Sequence, residues 1–323
     1  MTVSITTHGP CRLAGMAQKF VTPMLARLQR ENSFIIRNTA KCFLCEMIEK
    51  EDIMTEDSGS HDNVLDHPMV LDCIFHPRPV DGSSPMSDKE VMIPVTQTVS
   101  IGTCFHMVDS LAPVVLFFHG NGEIVSDYDD LGRVYNSRGI NFIVVDYRGY
   151  GRSTGSPTVS AMMTDCRTIL SFVRRWLTQN GFIGPLTVMG RSLGSASALE
   201  LADQFPSECQ GLIIESGFAY AGELLRVLGI EPHVIGFQET RGFNNLDKIK
   251  SWHGPCLIIH AEFDHIIPFT DGQALFDACP SQEKKLVKIP GANHNDIFMR
   301  GLDLYMAEIE SAVDPSGSCR PQG

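Results

Sequence analysis

No stretch of eighteen consecutive apolar residues occurs in these 323 residues, and the first thirty contain no compact apolar core of the kind a secretory leader carries. A membrane-spanning helix and leader-directed secretion are therefore not expected. Cysteine is present but unorganised: ten thiols are scattered without paired spacing, which excludes a secreted disulfide framework and fits a reducing interior, with the cytoplasm as default. The single Cys-x-x-Cys, Cys42-Phe43-Leu44-Cys45, has neither a second pair nor a nearby histidine pair to complete a zinc site, so no metal is expected. As the alternative use of those two thiols, fatty acylation beside a basic arm rests on one tight pair alone. Charge is sparse at 20% and sums to −12, and no basic patch marks the body of the chain, which argues against a nucleic-acid partner. Internal repeats and low-complexity tracts are also missing.

What is there is apolar sequence: 43% of residues are hydrophobic, ample for one large core and a smaller appendage. Short apolar runs predict strands at Val70–His76, Val91–Val99, Val114–Phe118, Asn141–Asp146, Leu186–Met189, Leu212–Glu215, Leu257–His260 and Lys285–Ile289. Between most of them the apolar residues recur at helical spacing. The clearest case is Ser160–Thr178, with Met163, Cys166, Ile169, Leu170, Val173 and Leu177 on one face. Alternating strands and helices predict a mostly parallel sheet covered on both sides. From Ser216 to Lys250 there is room for only one or two short helices, so a large lid is not expected.

Two copies of Gly-Arg-Ser-x-Gly occur, at Gly151–Gly155 and Gly190–Gly194. Chance alone yields Gly-x-Ser-x-Gly in roughly one chain in ten of this length, so context must decide. The second copy follows the apolar run Leu186–Met189 and precedes the helix-forming residues Leu193–Ala202, giving a strand, a sharp turn and a helix. There the glycines remove side chains that would collide with the neighbouring strand and helix, and Ser192 projects its hydroxyl above the sheet edge. The first copy runs on into Ser156-Pro157-Thr158, which is loop chemistry, so Ser153 is the decoy.

Other parts needed for acyl transfer occur in order. The run Val114–Phe118 ends in His119-Gly120-Asn121-Gly122, a turn able to aim a backbone N–H at a tetrahedral oxyanion. Leu193, after the candidate nucleophile, offers one donor; Asn121 is the first choice for the second and Gly122 the next. Downstream, the run Cys256–Ala261 leads to Asp264, and Leu286–Ile289 leads to Gly291-Ala292-Asn293-His294. A histidine with an ordinary pKa near 6.5 can take the serine proton when a carboxylate fixes its tautomer. The expected order is then Ser192, Asp264, His294. Glu215, at the end of Gly211–Ile214, is the competing acid, and His260, inside a strand, reads as a core residue or as one standing behind the site.

With these motifs on the page, the chain resembles the α/β-hydrolase family over roughly residues 68 to 312. It is similar to the small, cap-poor serine hydrolases that include protein-depalmitoylating and serine-aminopeptidase-like members. The resemblance rests on His119–Gly122, Asp146-Tyr147-Arg148-Gly149-Tyr150-Gly151-Arg152-Ser153, Gly190–Gly194 and Gly291–Asp296. It implies an α/β-hydrolase fold: an eight-stranded, mostly parallel sheet with helices on both faces and a small or no cap. It favours Asp264 as the acid, through the loop Asp264-His265-Ile266-Ile267-Pro268, and implies that Asp146–Ser153 is a structural loop locked by its acid and arginine. One departure is His260-Ala261, where the family often has His-Gly.

The start of the chain differs from the rest. Through Cys45 the charges are Arg12, Lys19, Arg27, Arg30, Arg37 and Lys41 against Glu31 alone, whereas Glu46–Asp66 holds eight acids and one lysine. The expected organisation is a basic arm with an acidic linker over 1–66, a hydrolase domain over 67–312 and a tail over 313–323. The arm could be an organelle-targeting segment, a peripheral membrane contact through an amphipathic stretch at Met16–Leu28, or a helical arm packed on the domain. The expected activity is hydrolysis of a carboxylic ester or thioester, on a small-molecule or acylated-protein substrate, by Ser192, His294 and Asp264 with Leu193 and Asn121 as oxyanion donors, without cofactor or metal. The alternatives are an amide-cleaving aminopeptidase-like enzyme and a catalytically idle hydrolase fold used for binding.

Overall fold

Strands buried on both faces are apolar through most of their length, and five of this chain's strands are of that kind, with polar residues mainly at their ends. A computed structural model describes residues 63–81 and 85–314; the basic arm, Met16–Leu28, Cys42–Cys45 and most of the C-terminal tail lie outside these. Eight strands form one sheet: β1 Glu90–Pro94, β2 Ser100–His106, β3 Val114–Phe118, β4 Asn141–Val145, β5 Leu186–Arg191, β6 Gly211–Glu215, β7 Cys256–Ala261 and β8 Lys284–Ile289. Their spatial order is β1-β2-β4-β3-β5-β6-β7-β8. The strands β4, β3, β5, β6, β7 and β8 pair in parallel, while β1 and β2 form an antiparallel hairpin on the β4 side. Strands β3 to β7 are buried at every position, and β8 at the edge is not.

The helices are α1 Pro68–Ile74, α2 Asp129–Ser137, α3 Val159–Gln179, α4 Ser195–Gln204, α5 Ala221–Val227, α6 Asn245–Ile249, α7 Phe269–Ala278 and α8 Ile297–Val313. Two apolar layers follow, one on each face of the sheet. Leu131 and Tyr135 of α2 and Tyr305, Met306 and Ile309 of α8 fill one; side chains of α3, α4 and α7 fill the other. Helix α3 begins where the Thr158 hydroxyl accepts the Ala161 N–H at 3.0 Å. Its buried side chains include Cys166, Ile169, Leu170, Val173 and Leu177, as the spacing predicts, with Met162 rather than Met163 pointing inward. Full burial of each large aliphatic side chain stabilises by roughly 1.5–3 kcal/mol.

Two predicted strands are corrected. Residues Val70–His76 are not a strand: Pro68–Ile74 is helical, because Pro68 at the first helical position presets the backbone and the buried Val70 and Ile74 stand one turn apart. The extended segment after it pairs with the Asp146–Ser153 loop, through Gly151 N–H to the Arg78 carbonyl at 2.8 Å and Val80 N–H to the Gly151 carbonyl at 3.1 Å. Nor is Val91–Val99 one strand. It turns after Pro94, with Val95 N–H donating to the Val99 carbonyl at 2.9 Å, and returns as β2, whose Gly102, Thr103 and His106 concealed it. Packing reaches back to Leu65, which is fully buried. Between β6 and β7 only α5, α6 and a 3-10 turn at Glu239–Arg241 intervene, so among the described residues no cap domain is inserted there.

Candidate active site

At the C-terminal end of β5 the chain makes a single 3-10 turn, Ser192–Gly194, before α4 begins. Ser192 sits in that turn at φ +51°, a left-handed conformation that costs a non-glycine residue of order 1 kcal/mol or more. Its flanking glycines are required by close approach. A Cβ on Gly190 would lie 2.2 Å from the Gly194 carbonyl oxygen, and one on Gly194 would lie 2.1 Å from that of Phe118. The backbones of β3, β5 and α4 are thereby brought together at this elbow.

Loops after β7 and β8 carry the two partners. His294 Nε2 lies 3.0 Å from Ser192 Oγ, and His294 Nδ1 lies 2.7 Å from Asp264 Oδ2. The other Asp264 oxygen accepts the Ile266 and Ile267 N–H groups at 3.1 and 2.9 Å, which fixes the carboxylate. Burial alone would raise the Asp264 pKa, but the facing His294, its hydrogen bond and the Ile267 N–H outweigh it and hold the acid down at about 2. His260 is fully buried and also stands behind the site, so both expected readings apply: its Nε2 lies 2.8 Å from the Ile267 carbonyl and 3.6 Å from Asp264 Oδ2, and burial lowers its pKa.

Glu215, the competing acid, is directed elsewhere. Its Oε1 accepts Arg191 Nε at 3.1 Å and its Oε2 accepts the Tyr305 hydroxyl at 2.8 Å. Arg191 also donates to Glu123 at 2.6 Å and to the His294 carbonyl at 2.8 Å. Glu123 in turn accepts the Gly120 N–H at 2.7 Å and the Tyr128 hydroxyl. Burial pushes both carboxyls up. Arg191, the Tyr128 hydroxyl and the Gly120 N–H overcome it at Glu123, which ends below its ordinary value, whereas Glu215 stays above. Sequence reasoning missed this hub, and its one visible signal was an arginine inside the Gly-Arg-Ser motif.

The loop after β3 presents Asn121 and Gly122. Among the described residues, no loop, turn or cap hydrogen bond is donated by the Asn121 or Leu193 N–H, while the Gly122 N–H bonds the Tyr150 hydroxyl. The Asn121 side chain anchors the loop: its amide nitrogen reaches the Ile74 carbonyl at 2.7 Å, and its oxygen accepts His76 N–H at 2.9 Å and the Tyr150 hydroxyl at 2.6 Å. The first pentapeptide has a different environment. Ser153 Oγ accepts the Gly102 N–H at 2.8 Å, Asp146 bonds His119 and the Val125 N–H, and Arg148 grips Asp165 with two bonds of 2.7 and 2.8 Å. Among the described residues, the group of histidine, cysteine and acid side chains close enough to share an ion, Cys104, His106 and Asp129, belongs to a different part of the sheet.

Comparison with known proteins points the same way. Residues 109–232, which run from before β3 through the Ser192 elbow and β6, match the family described as serine aminopeptidase, S33. Protein bem46 of Schizosaccharomyces pombe is 29% identical over 189 residues, 57% of this chain and 62% of that protein. The α/β hydrolase domain-containing protein 17C of Xenopus tropicalis is 32% identical over 207 residues, 61% of this chain and 59% of that one. The chain thus spans about 60% of the length of these relatives. An esterase of Pyrococcus furiosus superposes with a TM-score of 0.57 over 74% of this chain and 99% of its own, at 17% identity, a likeness of fold. Strand order, the elbow at β5 and the matched segment agree: the chain has the α/β-hydrolase fold and is similar to hydrolases of that fold over the matched segment.

Proposed function

We propose that this hydrolase cleaves a carboxylic ester or thioester through an acyl-enzyme, with Ser192 as nucleophile, His294 as base, Asp264 as its orienting acid, and the Leu193 and Asn121 N–H groups as oxyanion donors. The observation that carries the reading is the continuous relay of 3.0 and 2.7 Å from Ser192 through His294 to Asp264 at a strained elbow. His294 Nε2 takes the Ser192 proton as Oγ attacks the carbonyl carbon, and the tetrahedral oxyanion turns toward the two N–H groups. The imidazolium, opposite an ionised Asp264, then protonates the leaving alkoxide or thiolate. Water, deprotonated by His294, attacks the acyl-Ser192 and releases a carboxylic acid and free serine. Every atom of the cycle is supplied by protein, substrate and water, so no cofactor is invoked.

An apolar acyl group suits the surroundings. Phe263, beside Asp264, is 66% exposed, and Val227 and Val234 on the segment following β6 are exposed as well. Such side chains, on α5 and on the stretches after β6 and β7, favour an acyl chain or an acylated protein over a charged substrate. The amide-cleaving alternative is favoured by the name of the matched family. Among the described residues no helix is long and apolar enough to cross a membrane, and peripheral contact through the basic arm is part of the same proposal. The test is a fluorophosphonate probe for the serine, followed by esters, thioesters and anilides of graded acyl length on the full chain. Fast ester or thioester turnover with slow anilide turnover is expected. Anilide preference moves the reading to the peptidase, and neither labelling nor turnover leaves a binding fold.

A further inference from the structure

One group of metal-binding side chains lies apart from the proposed catalytic centre. Cys104 and His106 stand two residues apart on β2, so both side chains point to the same face, the one covered by α2. Asp129 is the first residue of α2. The ligating atoms of the three all lie within 4.8 Å of one another. His106 Nε2 is 3.6 Å from Asp129 Oδ1, and Cys104 is a free thiol. In the sheet order, β4 and β3 separate β2 from the Ser192 strand, a distance of roughly 14 Å at ordinary strand spacing.

His106 calls for an explanation. It is 1% exposed, and neither ring nitrogen has a hydrogen-bond partner. A buried imidazole should satisfy a donor and an acceptor, and a leucine or phenylalanine would fill the same space without that penalty. The ring is nevertheless accommodated deliberately: a Cβ on Gly132 would fall 2.5–2.6 Å from His106 Cγ, Cδ2 and Nδ1, so only glycine lets it lie flat against α2 with Nε2 directed toward Asp129. The His106 backbone is pinned too, its carbonyl accepting the Asn136 amide at 2.8 Å. The ring is therefore fixed in position, and its nitrogens are left for something else.

We propose that Cys104, His106 and Asp129 form a site for a divalent transition-metal ion of the zinc class, which clamps α2 to β2. One soft thiolate, one imidazole and one carboxylate make a donor set suited to zinc, with the fourth position open to solvent on the side of the exposed Asp129. Tetrahedral zinc, with bonds of ~2.3 Å to sulfur and ~2.0–2.1 Å to nitrogen and oxygen, draws its donors to about 3.3–3.6 Å of one another. The 3.6 Å His106–Asp129 separation already meets that. Nearby charges do not oppose a cation on balance. Arg133 is paired with Asp130, and Lys89 is flanked in sequence by Asp88 and Glu90. Binding would deprotonate Cys104 and release that proton to solvent.

Cobalt titration of the reduced, metal-stripped full chain tests this, since a cobalt–thiolate bond gives a near-ultraviolet charge-transfer band and tetrahedral cobalt gives intense visible bands. One equivalent should bind with both signals, and zinc should displace it. Cys104→Ser should lose the charge-transfer band, and His106→Gln should lose about tenfold or more in affinity. Asp129→Asn, an exposed position that leaves the core intact, should keep the thiolate band while binding about tenfold more weakly. Double replacement of Cys42 and Cys45 by serine should change nothing. The site does not exist if the wild type gives no thiolate band, if the band follows Cys42 and Cys45, or if Asp129→Asn and Cys104→Ser bind as tightly as the parent.

Discussion

Asp264 and Glu215 both stand at or near the ends of parallel strands close to His294, and a matched pair of amide substitutions separates them. In Asp264→Asn, one oxygen can still receive the Ile266 and Ile267 N–H groups, so the loop retains its backbone contacts. The group facing His294 Nδ1 becomes an NH2 donor, which forces the ring proton onto Nε2. That nitrogen faces Ser192 Oγ at 3.0 Å and can then no longer accept its proton. The expected loss in kcat is on the order of 10⁴-fold, about 5 kcal/mol of transition-state stabilisation. In Glu215→Gln, the amide oxygen can still accept from Tyr305 or Arg191, and Arg191 retains Glu123. Stability should fall by about 2 kcal/mol, less than the 3–5 kcal/mol that follows complete removal of a buried ionic partner. Asp264→Asn should cost a similar amount. The wild-type carboxyl is held at about 2 against an ordinary 3.8, so it contributes about 2 kcal/mol above pH 4, lost as pH falls from about 4 to about 2. With comparable thermal penalties of roughly 4–8 °C each, a difference in turnover cannot be attributed to unfolding. The assay is single-turnover ester cleavage beside a thermal melt at neutral pH. If Glu215→Gln lost more activity than Asp264→Asn, the acid assignment and the argument from hydrogen-bond direction would both be refuted.

Ser192→Ala should abolish fluorophosphonate labelling and reduce turnover by about 10³-fold or more, while Ser153→Ala should retain both and lose only about 1 kcal/mol with its bond to Gly102; labelling retained in Ser192→Ala would overturn the assignment. Gly194→Ala should give no folded, labelled protein, because the added carbon would sit 2.1 Å from the Phe118 carbonyl oxygen and both are backbone-fixed; native circular dichroism with normal labelling would contradict the close approach. Burial raises Asp271 to about 6, despite the Ala219 and Tyr220 N–H groups it accepts. Its protonated form is the one favoured by folding, so its contribution is full below pH 4 and lost as pH rises through about 6; chemical denaturation should show this decline in the wild type and a flatter profile in Asp271→Asn, and parallel profiles would refute it.

The interior of the sheet was legible because physics leaves few options there. The apolar runs Val114–Phe118, Leu212–Glu215 and Leu257–His260 lie in strands buried throughout, and such runs between glycines and prolines have no other good home. The hairpin side was harder. Strand β2 holds Gly102, Thr103, Cys104 and His106, so polarity concealed a segment whose burial depends on what packs over it. In Val70–His76 an apolar run of strand length turned out to be one helical turn and its exit, decided by Pro68. For the site, order along the chain was enough to nominate Ser192, Asp264, His294, Leu193 and Asn121. Local sequence could not show where carboxylates point. Asp264 and Glu215 both follow from similar apolar runs, and the distinction lies in which groups remote in sequence, His294 or Arg191 and Tyr305, complete each one's hydrogen bonds.

The arginine shared by the two pentapeptides shows how one motif can serve two purposes. Arg152 meets Glu90 at 3.1 Å with both side chains partly exposed, a geometry worth little in solvent. Arg191 is buried, and its donors reach three separate segments: Glu123 after β3, Glu215 at the end of β6, and the His294 carbonyl after β8. A guanidinium can do this because its donors diverge in a fixed plane, whereas a lysine would offer a single point charge. Burying three charges is costly, and a hydrophobic filler would stabilise the fold as well or better. What such a filler could not do is hold the oxyanion loop, the elbow and the histidine loop at fixed separations. In the proposed mechanism those are the segments whose relative positions set the 3.0 Å approach of His294 to Ser192 and the aim of the Asn121 N–H. In that proposed mechanism Arg191 is a positioning residue, one that acts through the segments it joins.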